Sequence, residues 1–260
     1  FFTSTSAVCV TGLAVMDTST DFTLFGQGVI LFLIQLGGLG ILTFTSFFAY
    51  FFKGGSSFKE TLYVKDYVAS ETLKDTLKFA MNIVLFTFSL EGIGAIFIYF
   101  SIDDLSKLEH PIFFSIFHSI SAFCNAGFSN APDGLFNENL RFDYPFQWVI
   151  MFLIIFGGLG YNIVFNFYNY IKLYILNLFT KEHKKYLVRL LTLNSKIVMA
   201  TTLLLLLAGF TFFYFSEGTN TLGEHHTAFG KITATAFQAV TPRTAGFNTI
   251  DYSHLTMPSL

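Results

Sequence analysis

VILFLIQLGGLG at 29–40 returns as VIMFLIIFGGLG at 149–160, with nine of twelve residues identical at a separation of 120. Upstream of each copy lies a second match, AVCVTGL at 7–13 and AFCNAGF at 122–128. The same short turn recurs as TPRTAGF at 241–247. Self-similarity of this kind marks a repeat architecture. The repeating unit reads as a spanning helix, a half-helix, a glycine turn and a second spanning helix.

Outward from the motif, four stretches exceed the ~20 apolar residues that a membrane crossing needs: 22–52, 73–100, 144–179 and 195–215. Between them lie shorter apolar stretches at 1–10, 111–124 and 227–240, each ending in a polar, glycine-containing turn. Segments of that length enter a bilayer and turn back rather than cross it. The expected fold is an all-α polytopic membrane protein of repeated helix–pore-loop–helix units around a central pore. Residues 1–52 close a first unit, 53–72 form a cytoplasmic loop and 73–180 make a complete second unit. Residues 181–194 form another cytoplasmic loop, and 195–260 carry a third unit as far as its turn. Both ends read as truncations: Phe1 opens inside an apolar stretch with no signal-peptide layout, and Leu260 closes without a natural stop. A pore of parallel repeats closes with about four units, so a fourth is expected beyond Leu260.

Composition excludes the other broad classes. The chain is 53% hydrophobic, 19% aromatic and 12% charged, with 36 phenylalanines. A soluble domain carries about 25% charged residues. A net charge of −2 gives no nucleic-acid footprint. Eleven of the fifteen basic residues fall in 53–78 (Lys53, Lys59, Lys65, Lys74, Lys78) and 172–196 (Lys172, Lys181, Lys184, Lys185, Arg189, Lys196). The opposite loops are acidic. By the positive-inside rule the basic loops are cytoplasmic, and the half-helices dip in from outside. Cys9 and Cys124 are too few for a disulfide framework and read as buried apolar thiols.

The turns centre on Gly12, Gly127 and Gly246. Irregular backbone at membrane depth persists only where protein or a watery cavity surrounds it. A ring of such turns presents backbone carbonyls that can replace the hydration shell of K⁺. Glycine reaches positive φ without a Cβ clash, and the half-helix C-termini aim their negative dipole ends at a cation.

VTGL at 10–13, SAFCNAGFSNAPDGLF at 121–136 and QAVTPRTAGFNTIDYSHLT at 238–256 resemble the pore loops of the Trk/Ktr/HKT superfamily of potassium transporters, nearest its bacterial TrkH and KtrB membrane subunits. The resemblance implies one filter glycine per unit, here Gly12, Gly127 and Gly246. Val10, Thr11, Asn125, Ala126, Thr244 and Ala245 would add neighbouring carbonyls. It implies K⁺ uptake at the bacterial cell membrane, with Na⁺ permeation as the alternative, and a gate in a segment outside this sequence. A serine at the first filter glycine accompanies Na⁺ permeation in plant members, and Gly12 stands there in this chain. The resemblance also implies a homodimer and a cytosolic nucleotide-binding regulatory subunit of the TrkA/KtrA kind. No cofactor and no transition-metal site is expected, K⁺ being the transported ion.

Two charged residues attach to this reading. Glu91 lies about nine residues inside the outer end of its apolar run, ~14 Å deep at 1.5 Å per residue, and is expected to brace a pore loop by accepting backbone N–H groups. Arg243, in the third turn, is expected to pair with a carboxylate or with loop carbonyls. The sequence does not favour an intramembrane enzyme using Glu91 and His118, because catalysis needs a paired nucleophile and base or a full ligand set. Parallel repeats also disfavour a secondary transporter, which more often shows inverted ones. Glu224, His225 and His226 read as a solvated loop, and the GGLG segments as small residues for close helix packing.

Overall fold

The computed structural model describes residues 1–40, 73–102, 108–160, parts of 163–171, and 193–259. The two basic loops lie almost wholly outside the described residues. Among the described residues the chain forms helices and turns and no strand. The helices are α1 (Phe2–Val8), α2 (Leu24–Gly38), α3 (Leu73–Ser101), α4 (Pro111–Phe123), α5 (Tyr144–Leu159), α6 (Leu193–Glu217) and α7 (Ala228–Val240).

Local chemistry sets these boundaries. A side-chain oxygen at the N-cap satisfies amide donors that the first turn cannot pair internally. Thr23 accepts from Gly26 N–H at 3.3 Å, Asp143 from Phe146 N–H at 3.1 Å and Thr227 from Gly230 N–H at 3.0 Å. Thr23 and Asp143 hold the same register, 120 residues apart, at the heads of α2 and α5. Pro111 opens α4, where its missing N–H is harmless. Both GGLG motifs end their helix, with Gly40 at φ +80° and Gly160 at φ +78°. Helical bonding restarts after Gly160, whose carbonyl accepts from Val164 N–H at 3.2 Å. The helix over Tyr144–Leu159 is therefore interrupted at Gly160. The corresponding stretch 41–52 lies outside the described residues.

Among the described residues two helices are long and apolar enough to cross a membrane, Met81–Ser101 and Leu193–Glu217. Their surfaces are apolar: Leu85, Phe88, Ile96, Phe97 and Phe100 on α3, and Leu203 to Leu205, Leu207, Phe212 and Phe215 on α6, are exposed. Contiguous apolar surface of that extent marks contact with lipid or with protein.

The packing repeats. α1 lies against α2, α3 against both α4 and α5, and α6 against α7. Successive units join through their later helices, α2 to α4 and α5 to α7. One apolar cluster, around Ala7, Ile30, Ile34, Phe117, Ala126 and Phe128, fills the first junction. A larger one, including Ile98, Phe146, Ile150, Ile154, Phe237, Ala245 and Phe247, fills the second. The alanine of each later turn is thus a core residue, which ties the turn to the packing behind it.

Candidate functional site

Each of the three short helices runs into the same backbone conformation. Val10, Asn125 and Thr244 sit at φ +54°, +56° and +65°, and the glycine two residues on sits at +73° (Gly12), +72° (Gly127) and +75° (Gly246). A left-handed conformation costs an L-residue about 1–2 kcal/mol, so three non-glycine residues held there mark a backbone fixed by its surroundings. The first two turns are closed by matching bonds, Thr11 N–H to Ser6 carbonyl at 2.9 Å and Ala126 N–H to Ser121 carbonyl at 2.7 Å. The third closes one residue tighter, Ala245 N–H to Thr241 carbonyl at 3.1 Å.

The turns lie edge to edge. A Cβ on Gly12 would run into the Ala126 carbonyl, and one on Gly127 would come within 2.6 Å of the Ala245 oxygen and 3.0 Å of Gly246 Cα. The glycine of one turn therefore admits the carbonyl of the next. Gly246 meets only Gly127, at 3.4 Å. These contacts bring Gly12, Ala126, Gly127, Ala245 and Gly246 together.

The GGLG motifs explain how the helices come so close. A Cβ on Gly37 would collide with the Val8 carbonyl, and one on Gly157 with the Phe123 carbonyl. Val8 and Phe123 are the last residues of α1 and α4, so each motif's first glycine makes room for the end of its own unit's short helix. The second glycine of the first motif, Gly38, abuts the Cys124 side chain of the next unit's turn, whereas a Cβ on Gly158 would lie 3.3 Å from Asn125 Nδ2 in its own unit's turn and 3.9 Å from Arg243 Nη2 in the next. With its amide oriented to suit its neighbours, Asn125 accepts from Gly158 N–H at 3.2 Å and donates to the Ile154 and Ala122 carbonyls at 3.3 Å.

Glu91, 3% exposed, reaches the level of the second turn, but its partners differ from those expected. Among the described residues no loop N–H reaches it. Its Oε1 accepts from Gln35 Nε2 at 3.1 Å and from the Cys124 thiol at 3.7 Å, and its backbone carbonyl accepts from Ser119 Oγ at 2.6 Å. Residues that bond through side chains are spared the need to strip donors from an already constrained loop. Arg243 also departs from expectation: Nη2 donates to Thr202 Oγ1 at 3.4 Å on α6, and no carboxylate faces it among the described residues. Cys9 is exposed rather than buried, and Cys124 is half-buried.

His118 does not pair with Glu91. Its ring is fully buried, with Nδ1 3.1 Å from the Phe114 carbonyl and Nε2 2.8 Å from Ser129 Oγ. A carbonyl only accepts, so Nδ1 carries the proton and Nε2 accepts from the serine. His225 is likewise not solvated. It is fully buried, with Nδ1 3.2 Å from Tyr144 Oη and its ring against Phe142. Nearby, Arg141 pairs with Glu224 across the two outer loops and lies over the Phe136 ring. Burial, followed by the charges of Arg141, Lys231 and His226, holds the His225 imidazole down at about 4. Among the described residues, no three His, Cys, Asp or Glu side chains gather as metal ligands.

Sequence reasoning passed over several residues that build this site. Gln35 differs from its repeat mate Ile155, and that break in the repeat was a legible signal. Ser6, Ser121 and Thr241 supply a hydroxyl five or six residues before each turn glycine, a recurrence visible in the alignment of the copies.

The family model for TrkH, a cation transport protein, matches residues 1–258. The chain is similar to the Ktr system potassium uptake protein B of Bacillus subtilis, 36% identical over 98% of this chain and 54% of that protein. It is 33% identical to the protein of the same name from Vibrio alginolyticus, over the whole of this chain and 54% of that protein. The potassium/sodium uptake protein NtpJ of Enterococcus hirae is also 33% identical, with the same coverage. The chain spans about half the length of these relatives.

Proposed function

The chain belongs to the TrkH family of cation transport proteins, and from that premise we propose that it forms part of a K⁺ uptake pathway whose selectivity filter is built from the turns at 10–12, 125–127 and 244–246. The observation that carries the reading is the threefold recurrence of one left-handed turn, each copy fitted against the next. Carbonyl oxygens of Val10, Thr11, Gly12, Asn125, Ala126, Gly127, Thr244, Ala245 and Gly246 replace water around the ion. Parallel helix–pore-loop–helix units surround a central pore, and a fourth unit completes the ring beside Gly246. Glu91 supports the filter by bridging α2 and the second turn, and Arg243 supports it beneath the third. K⁺ is cargo, and no cofactor is bound to this chain.

Relatives described as parts of a Ktr system support a multi-subunit assembly in the bacterial cell membrane. The membrane subunit would be multi-pass and homodimeric, with a cytosolic nucleotide-binding subunit of the TrkA/KtrA kind on its basic loops. The relative described as a potassium/sodium uptake protein favours a second reading, in which Na⁺ shares the pathway. The test is uptake of Rb⁺ and Na⁺ by the full-length protein in cells lacking their own K⁺ uptake systems, with the cytosolic subunit supplied. Rb⁺ uptake that exceeds Na⁺ uptake is expected. Absence of both ions from cells that express the protein well would sink the proposal.

A further inference from the structure

A filter of carbonyls needs a defined end. The residue after each turn glycine also carries a carbonyl, and something must decide whether it joins the ring. In the second turn, Ser121 Oγ donates to the Phe128 carbonyl at 2.6 Å. In the third, Thr241 Oγ1 donates to the Phe247 carbonyl at 2.5 Å. Phe128 follows Gly127, and Phe247 follows Gly246. Ser121 is 0% and Thr241 6% exposed, and both phenylalanines are 2% exposed, so solvent does not compete for either bond.

A second bond backs each of these. His118 Nε2 accepts from Ser129 Oγ at 2.8 Å, and Gln238 Nε2 donates to Thr249 Oγ1 at 3.3 Å. His118 and Gln238 are 120 residues apart, as are Ser129 and Thr249. The side-chain chemistry differs between units while the connection, short helix to outgoing strand of the turn, stays the same. The first turn is built otherwise. Its corresponding hydroxyl, Ser6 Oγ, lies 2.9 Å from Thr11 Oγ1 within the turn itself.

We propose that Ser121 and Thr241 are positioning residues for ion selectivity, holding the Phe128 and Phe247 carbonyls out of the ion path so that the filter ends at Gly127 and Gly246. The inference rests on the filter reading above. A carbonyl engaged by a buried hydroxyl donor is turned away from the ring and is already satisfied. Released, it is free to rotate toward the ion path and add an acceptor at a radius that the turns do not control. The hydroxyl donor is what matters, so serine and threonine should serve equally at both positions.

The experiment uses full-length protein in cells lacking their own K⁺ uptake systems. Rb⁺ and Na⁺ uptake are measured for Ser121→Ala, Thr241→Val, Ser121→Thr and Thr241→Ser, each normalised to protein in the membrane. The Rb⁺-to-Na⁺ ratio is expected to fall about fivefold in Ser121→Ala and in Thr241→Val, the size of one lost hydrogen bond. The two hydroxyl-for-hydroxyl exchanges are expected to keep it. If the alanine or valine protein does not accumulate, Ser121→Cys and Thr241→Cys take their place, since a thiol keeps the volume but donates weakly. An unchanged ratio in the hydroxyl-free proteins overturns the inference alone, because the wild type still selects. A wild type with no preference for Rb⁺ overturns the filter reading, and the inference falls with it.

Discussion

His225 illustrates how much one buried side chain can govern at the junction between two units. Its neutral ring fills an aromatic pocket bounded by Phe142 and Tyr144, with Arg141, Lys231 and His226 as the charges facing it and Glu224 paired to Arg141. An unfolded histidine takes up its proton near pH 6.5, whereas burial first, and those neighbouring cations second, hold the folded one down at about 4. The folded state then binds fewer protons, so stability is full above about pH 6.5 and falls as the pH drops toward 4. His225→Gln should flatten the decline in melting temperature between those values. An identical decline in wild type and variant would show that other groups govern it. The sequence displays His225 as one of two adjacent histidines in a polar loop. Its burial depends on Phe142 and Tyr144, about 80 residues away, and no local pattern reports that.

Helix ends carry the architecture more than helix interiors do. The first two short helices end with their last carbonyl pressed onto a glycine of a neighbouring helix, Val8 on Gly37 and Phe123 on Gly157. Any side chain at Gly157 must push the second helix away from the second turn, and the displaced carbonyl belongs to backbone that has no rotamer to adjust. Gly157→Val should therefore lower thermal stability by about 1–3 kcal/mol, the usual range for overpacking. Melting of the purified protein checks this, and an unchanged melting temperature would place the close approach elsewhere. The helix limits were readable from composition, because Pro111, Asp143, Thr23 and Thr227 announce them and the apolar runs are long. The turn glycines were readable from their recurrence. The partners of Glu91 were not, since Gln35 and Cys124 come from two other elements that only the packing of α2 on α4 brings to it. The hydroxyl bonds of Ser121 and Thr241 were hidden for the same reason: a serine near a helix end is compatible with several local acceptors.

Across the molecule, the repeat is a rotation rather than an inversion. The glycine-to-carbonyl contact runs from the first turn to the second and from the second to the third in the same sense, and the helix contacts α2–α4 and α5–α7 follow it. In the proposed pore, parallel repeats of this kind would put all three turns on one side of the bilayer and the basic segments on the other. Charge separation in the sequence gives the same expectation, and the segments 41–72 and 172–192 that carry most of the lysines lie outside the described residues. Cysteine introduced at exposed Asp133 should react with a membrane-impermeant thiol reagent added to intact cells, in a background where Cys9 and Cys124 are replaced. Cysteine at Lys59 should react only after the membrane is opened. The reverse labelling would invert the proposed orientation and place the turns at the cytoplasmic face.

The central claim is that carbonyls beside the turn glycines select the ion. Gly127 sits at φ +72° with the Ala245 oxygen 2.6 Å from where a Cβ would stand, so a side chain there must displace one turn from the next. The direct test compares Rb⁺ and Na⁺ uptake by the full-length protein with and without Gly127→Ser, at matched membrane abundance. The account predicts that the wild type takes up Rb⁺ in preference to Na⁺ and that the serine protein loses most of that preference. A serine protein as selective as the wild type would contradict it.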